Sequence, residues 1–134
     1  MACPYFLPNE RRDDLLWPFP SRLPLGAEFG GVCSAPGYSG TVPTDDELKT
    51  ACNLGYARCA RLPQDRESDS VRYAISLDAP DRIVITWASE RGHAPAQHGR
   101  LEYDRAGRRF TQPCPDSRIE KQVECYLDSY LRRR

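Results

Sequence analysis

Apolar and polar residues alternate along the second half of the chain, and this alternation predicts β-strands. At 71–77 every second residue is apolar, which is the spacing of a strand with one buried face. The pattern recurs at 82–90 and 98–104, and a short fourth strand is predicted at 109–111. Short turn-forming stretches separate these segments, so we expect them to pair as an antiparallel meander of three or four strands.

The clearest helical pattern lies at 117–133, where apolar residues recur at spacings of three and four. Ser117 and Glu120 match a capping box at the start of this segment. We expect the apolar stripe of this C-terminal helix to cover the sheet, because such a stripe is stable only when it is buried against another element.

A second helix is predicted at 44–60. It begins with another capping-box pattern, formed by Thr44 and Glu47. Gly55 interrupts this segment and is the residue at which the helix can end or bend, because glycine tolerates the left-handed backbone conformation.

The first 43 residues have a different composition, with seven of the chain's twelve prolines. Proline fixes φ and removes a hydrogen-bond donor, so we expect an irregular arm here and no long helix or central strand. Aromatic residues spread through the arm indicate that it packs onto the rest. The sequence therefore predicts an α+β fold in a single domain, 1–134. Residues 1–63 form a cysteine-containing arm and helix, and 71–134 form the antiparallel sheet plus the C-terminal helix.

Charge and hydropathy exclude several classes of partner. The 134 residues include 19 basic and 19 acidic side chains, so the formal net charge is zero. A neutral chain has no overall field to attract nucleic acid or an anionic membrane, and we expect neither as a partner, while a protein partner stays open. No apolar run is long enough to span a bilayer, and no secretory signal pattern follows Met1. We therefore expect a cytoplasmic protein.

Six cysteines are many for a cytoplasmic chain, and they provide the candidate chemistry. Disulfides are disfavoured in a reducing compartment, so a cluster of cysteines there points to metal or redox chemistry. Four of them fall within the first 60 residues: Cys3, Cys33, Cys52 and Cys59. Four thiolates can bind a tetrahedral zinc ion or an iron–sulfur cluster of the 4Fe–4S type. Buried free thiols and disulfides are the alternatives.

The spacing of these cysteines bears on the choice of metal. Zinc fingers and ribbons use closely spaced cysteine pairs, and no such pair occurs here. Widely spaced cysteines in an aromatic, proline-rich arm suit a cluster shielded from water. Cys52 and Cys59 would lie about 10 Å apart along a straight helix, so a shared site requires a break near Gly55.

The cysteines and their neighbours resemble a four-cysteine module of uncharacterised bacterial proteins over about residues 1–63. The residues that carry the resemblance are Cys3-Pro4-Tyr5, Trp17-Pro18-Phe19-Pro20-Ser21, Cys33, Cys52, Tyr56 and Cys59. The chain departs from the module after its last cysteine, where Ala60 stands in place of proline. The resemblance implies that the four cysteines act as one unit, and it implies no reaction.

The remaining candidate residues have plain structural interpretations. Cys114 lies between two prolines and Cys125 lies on the C-terminal helix, so we expect both to be structural and away from the arm. His93 and His98 flank a predicted hairpin loop, where exposed histidines are common.

The sequence thus predicts a small metal-binding protein whose ligands are Cys3, Cys33, Cys52 and Cys59. The expected cofactor is an iron–sulfur cluster in a structural or electron-transfer role, and no catalytic residue is expected. The alternative is a zinc-stapled protein-interaction module. A redox enzyme that uses Cys52 and Cys59 is a third hypothesis.

Overall fold

The computed structural model describes residues 1–14, 23–53, 59, 61–92, 94–114 and 116–133. It confirms the α+β fold with an antiparallel meander and a C-terminal helix. In chain order the elements are β1 (Phe6–Arg11), β2 (Phe29–Cys33), α1 (Asp45–Glu47), a π-helical turn (Leu48–Cys52), β3 (Ser70–Asp78), β4 (Arg82–Arg91), β5 (Ala94–Asp104), β6 (Arg109–Phe110) and α2 (Ser117–Arg132).

The larger sheet is the predicted meander, with strand order β3-β4-β5-β6. The apolar face of this sheet packs under α2, and their shared core consists of Ile83, Ile85, Leu101, Ile119, Val123 and Leu127. Strand β5 begins at Ala94, four residues earlier than the alternation predicts. The hairpin is tighter than expected because Gly92 has a φ of 58° and turns the chain at once.

The arm contains regular structure that the sequence analysis did not expect. Strands β1 and β2 pair antiparallel as a separate two-stranded sheet. Pro8 is accommodated because the register shifts between Pro8 and Glu10, and an irregularity of this kind tolerates a missing donor. Gly31 is required because a Cβ there would lie 2.0 Å from the Leu7 carbonyl oxygen. Proline and glycine suggested an irregular arm, yet Pro8 is accommodated in β1 and Gly31 allows β1 and β2 to approach each other.

Helix α1 begins where predicted and then changes form. Thr44 and Glu47 make the expected reciprocal capping box, with bonds of 3.2 and 2.9 Å between each side chain and the other residue's backbone amide. After one turn the chain widens into the π-helical turn, in which the Asn53 amide donates to the Leu48 carbonyl at 3.2 Å. The predicted continuation to residue 60, including the break at Gly55, lies outside the described residues.

Helix α2 matches its prediction over Ser117–Arg132, but its N-cap is Asp116. The Asp116 carboxylate accepts a 2.9 Å bond from the Arg118 amide, so the predicted Ser117–Glu120 capping box is wrong by one residue. An aspartate at this position also places a negative charge at the positive end of the helix dipole.

A single buried side chain joins α2, the arm and the sheet. Gln122 is 1% exposed. Its amide nitrogen donates to the backbone carbonyls of Cys3 at 2.7 Å and Phe6 at 2.8 Å. Its amide oxygen accepts a 2.7 Å bond from the Tyr73 hydroxyl on β3. Gln122 on α2 therefore bonds two backbone carbonyls of the arm and one hydroxyl of the sheet at a single point.

Substitution of Gln122 should be strongly destabilising. In Gln122→Met the size is kept, but the Cys3 and Phe6 carbonyls and the Tyr73 hydroxyl each lose a hydrogen bond. At about 1 kcal/mol for each hydrogen bond, we expect the free energy of unfolding in urea to fall by about 3 kcal/mol. Gln112→Met is the control, because Gln112 is exposed. Equal stability of the two variants would contradict this role of Gln122.

Candidate metal centre

All four cysteines predicted as ligands line one small cavity of about 20 Å³. They arrive from four different places in the chain. Cys3 precedes β1, Cys33 ends β2, Cys52 ends the π-helical turn, and Cys59 lies beyond that turn. The other lining residues are Phe6, Glu47, Ala51, Arg61 and Asp69.

A backbone hydrogen bond joins Cys3 to Cys52, and strand pairing brings Cys33 to the same region. The Cys3 amide donates to the Cys52 carbonyl at 3.2 Å, which fixes the start of the arm on the π-helical turn. Cys33 is the register partner of Phe6 in the β1–β2 ladder. Ala2 extends the arrangement by pairing with Val71 at the start of β3. The cavity is thus built where the arm, the π-helical turn and the main sheet meet.

Asn53 fixes the end of the π-helical turn that carries Cys52. Its side chain is 1% exposed. The amide nitrogen donates to the carbonyls of Phe29 at 2.9 Å and Leu48 at 3.0 Å, and the amide oxygen accepts from the Phe29 amide at 3.1 Å. Because Phe29 begins β2, Asn53 couples the segment that ends at Cys52 to the strand that ends at Cys33.

A backbone amide is directed at one of the sulfurs. The Ala35 amide donates to Cys33 Sγ at 3.4 Å. At Cys3, burial raises the pKa of the thiol, and the neighbouring amides of Tyr5 and Phe6 offset only part of that rise. Such N–H···S contacts favour the thiolate over the thiol, since they stabilise negative charge on sulfur. They are also the contacts that tune thiolate ligands in iron–sulfur proteins.

Burial opposes this preference in the absence of a cation. Loss of hydration raises the pKa of Cys3 to about 11, with the Cys33 and Cys59 charges adding to the shift. For Cys52, burial and then the charges of Cys3, Cys59 and Cys33 raise the pKa to about 12. The four sulfurs are therefore close enough to repel one another when ionised, and a bound cation would relieve that repulsion.

Two ion pairs lie at the wall of the cavity. Arg61 binds Glu47 with a nitrogen–oxygen distance of 2.8 Å. Asp69 pairs with Arg66 and also accepts a 2.7 Å bond from the Gly92 amide. These contacts lower the pKa values of both carboxyl groups, the backbone amides of Thr44 and Gly92 being the largest cause in each case.

The positions of the thiols do not form a single coordination sphere. Within the described ranges, no group of three or more histidine, cysteine, aspartate or glutamate side chains has the arrangement needed to hold a metal ion. A tetrahedral zinc site with zinc–sulfur bonds of about 2.3 Å holds its sulfurs about 3.8 Å apart. The described residues thus show no preformed coordination sphere for a single ion.

The other sequence candidates lie elsewhere. Cys114 packs against the core between the sheet and α2. We expected Cys125 to lie away from the arm, but it packs against the arm's core together with Cys3 and Cys52. It reaches the arm because α2 packs on β1 as well as on the main sheet. Neither lines the cavity. His98 is exposed within β5 and not in a loop, and His93 lies outside the described residues.

Comparisons with protein-family models, with curated proteins and with solved structures give no match for this chain. Among the helices that the structure describes, none is long and apolar enough to cross a membrane. The chemistry of the site must therefore be argued from its own geometry.

Sequence reasoning missed the residues that surround the four cysteines. Glu47 was recognised only as a helix cap, and Asn53, Arg61 and Asp69 were not singled out. Only the proximity of Arg61 to Cys59 in the chain could have indicated a role. The others reach the site through tertiary packing, which leaves no local pattern in the sequence.

Removing the Asn53 side chain should loosen this site. In Asn53→Ala, two hydrogen bonds to Phe29 and one to Leu48 are lost in a buried position. We expect a loss of about 2–4 kcal/mol in the free energy of unfolding, measured in urea. Asn9→Ala is the matched control, because Asn9 is exposed. A loss no larger than that of the control would rule out the role assigned to Asn53.

Proposed function

We propose that this chain is a small metal-binding protein in which Cys3, Cys33, Cys52 and Cys59 hold a 4Fe–4S cluster in a structural or electron-transfer role. The observation that carries the proposal is that all four cysteines, from four separate segments, line the same cavity. The resemblance of residues 1–63 to a four-cysteine module agrees with treating these residues as a unit.

The wide sequence spacing of the cysteines favours a cluster over a zinc ion, because zinc fingers and ribbons use closely spaced pairs. In a 4Fe–4S cluster each thiolate binds a different iron, so the four sulfurs need not share one coordination sphere. Four thiols that reach a common cavity from four segments suit that requirement. Phe6 and Ala51 give the cavity an apolar wall, which would limit access of water to a cluster.

The amide contact to the Cys33 sulfur adds independent support. The Ala35 amide that donates to Cys33 Sγ would stabilise negative charge on that ligand. Buried free thiols have no need of such donors, because a protonated thiol is only a weak hydrogen-bond acceptor. A cytoplasmic location belongs to the same proposal, since a reducing compartment keeps four cysteines available as thiolates.

A zinc-stapled protein-interaction module is the second candidate, and the cavity volume favours it. A space of about 20 Å³ is close to what one water molecule occupies, so a single ion would need less widening of the cavity than a four-iron cluster. In that case the metal would only hold the arm in place.

Purification without oxygen distinguishes the two candidates. We expect a brown protein with broad visible absorption and with iron and acid-labile sulfide in equal amounts, because the four thiolates retain the cluster. Elemental analysis should find less zinc than iron. A colourless protein with one zinc per chain would exclude the cluster and support the module. A protein with neither metal would contradict the metal site itself.

Cysteine variants test the ligand set. Cys52→Ser and Cys59→Ser should abolish or sharply reduce the metal content, because each removes one of four ligands. Cys114→Ser and Cys125→Ser are matched controls that should leave metal content unchanged, since neither residue lines the cavity. Metal loss in either control, in a protein that remains folded by circular dichroism, would refute the proposed ligands.

Removal of the metal should loosen the arm more than the sheet. Three ligands tie the arm and the π-helical turn together, whereas β3–β6 and α2 have their own apolar core. In hydrogen exchange we expect the apo protein to lose protection over the described residues of 1–63 and to keep it in β4 and β5. Metal binding and ordering of the arm would then be thermodynamically coupled, so the free energy of binding would stabilise the folded arm. Uniform protection in both states would contradict this coupling.

A further inference from the structure

Arg61 is the one cation among the described residues that line the cysteine cavity. The same wall includes two carboxylates, Glu47 and Asp69, besides the four thiols. Asp69 is already neutralised by Arg66, which does not line the cavity. The charge that faces the cysteines from this side is therefore set by Glu47 and Arg61.

The position of Arg61 is fixed by contacts on two sides. Its guanidinium binds Glu47 with nitrogen–oxygen distances of 2.8 and 3.5 Å. The guanidinium carbon lies 5.8 Å from the centre of the Tyr38 ring, within the range of a cation–π contact. Glu47 is in turn held by the Thr44 amide through the capping box. The side chain of Arg61 is 23% exposed, so its charge is only partly screened by water.

The placement of the pair matters because Glu47 and Arg61 both line the cavity that the four cysteines share. Arg61 offsets the negative charge of Glu47 through their 2.8 Å ion pair, and it also presents positive charge towards any centre with net negative charge. Four thiolates around one zinc ion carry a net charge of −2, and reduction of a thiolate-bound iron–sulfur cluster adds a further negative charge.

We propose that Arg61 is the positioning and charge-compensating residue of the thiolate centre, and that its positive charge strengthens binding of the metal and favours the reduced form of the cluster. This inference rests on the proposed function. It concerns charge and not only contact, so a lysine at this position should retain most of the effect.

The test compares Arg61→Gln, Arg61→Lys and Arg82→Gln with the unmodified protein. Arg82 is the control because it makes an exposed ion pair with Glu102 on the far end of the sheet. The first measurement is Zn²⁺ affinity of the iron-free, reduced protein at one fixed pH, by competition with a chelator. We expect about a tenfold loss in Arg61→Gln, the lower end of the usual effect of an outer-shell substitution. Arg61→Lys and Arg82→Gln should stay near the unmodified protein.

The second measurement is the reduction potential of the anaerobically reconstituted cluster. A tenfold loss of preference for the reduced form corresponds to about 59 mV for one electron, so Arg61→Gln should shift the potential more negative by about that amount. The charge-preserving Arg61→Lys should rescue it. Thermal unfolding followed by circular dichroism identifies any variant that is misfolded.

The outcomes separate this inference from the proposed function. If the unmodified protein binds Zn²⁺ but forms no cluster, the cluster proposal fails and Arg61 is judged on Zn²⁺ affinity alone. If the unmodified protein binds neither, both proposals fail. If it binds metal and Arg61→Gln matches it, the role of Arg61 alone is overturned. Equal losses in Arg61→Lys and Arg61→Gln would also overturn it, because contact geometry and not charge would then be responsible.

Discussion

The position of the arm depends on the buried amide of Gln122. The arm supplies most of an apolar cluster, with Ala2, Phe6, Leu25, Ala27 and Phe29 buried in it, but apolar contacts are non-directional and do not by themselves fix a backbone register. Gln122 fixes that register by donating to the Cys3 and Phe6 carbonyls, and Tyr73 supports the same amide from the sheet. Because an unpaired buried polar group is costly, a shift of the arm away from this register would be penalised. That register carries Cys3 to the cavity.

A second buried amide performs the same task on the other side of the site. Asn53 bonds both backbone groups of Phe29 and the Leu48 carbonyl, so it closes the π-helical turn against β2. A π-helical turn holds one more residue than an α-helical turn and rotates the residues that follow. Cys52, the last residue of that turn, thereby comes within hydrogen-bonding distance of the Cys3 backbone. Two amide side chains on separate elements thus align the two sides of the cavity.

Sequence periodicity was sufficient for the parts of the fold that bury one continuous face. The meander and α2 follow from spacings of two and of three to four residues, and only their ends differ by a few residues. The β1–β2 ladder could not be predicted in this way, because Pro8 and Gly31 normally argue against strands. Here the register shift after Pro8 accommodates the donor that proline lacks. Glycine is required at position 31 because a Cβ there would lie 2.0 Å from the Leu7 carbonyl oxygen. The cysteines themselves were found by composition, and Arg61 lies only two residues from Cys59 in the chain, whereas Asp69 reaches the site only through tertiary contacts.

The electrostatics of the cavity link its chemistry to the order of the arm. With pKa values raised to about 11 and 12, the thiols of Cys3 and Cys52 stay protonated at neutral pH when nothing positive is bound. A metal would have to displace those protons, and in return it would cancel the repulsion among thiolates that burial intensifies. The Ala35 amide is already directed at Cys33 Sγ, so part of the reorganisation needed for a thiolate ligand would be complete before binding. Since Cys3 also shares backbone bonds with Gln122 and Cys52, tightening of the site by a metal would be transmitted to α2 and to the π-helical turn together.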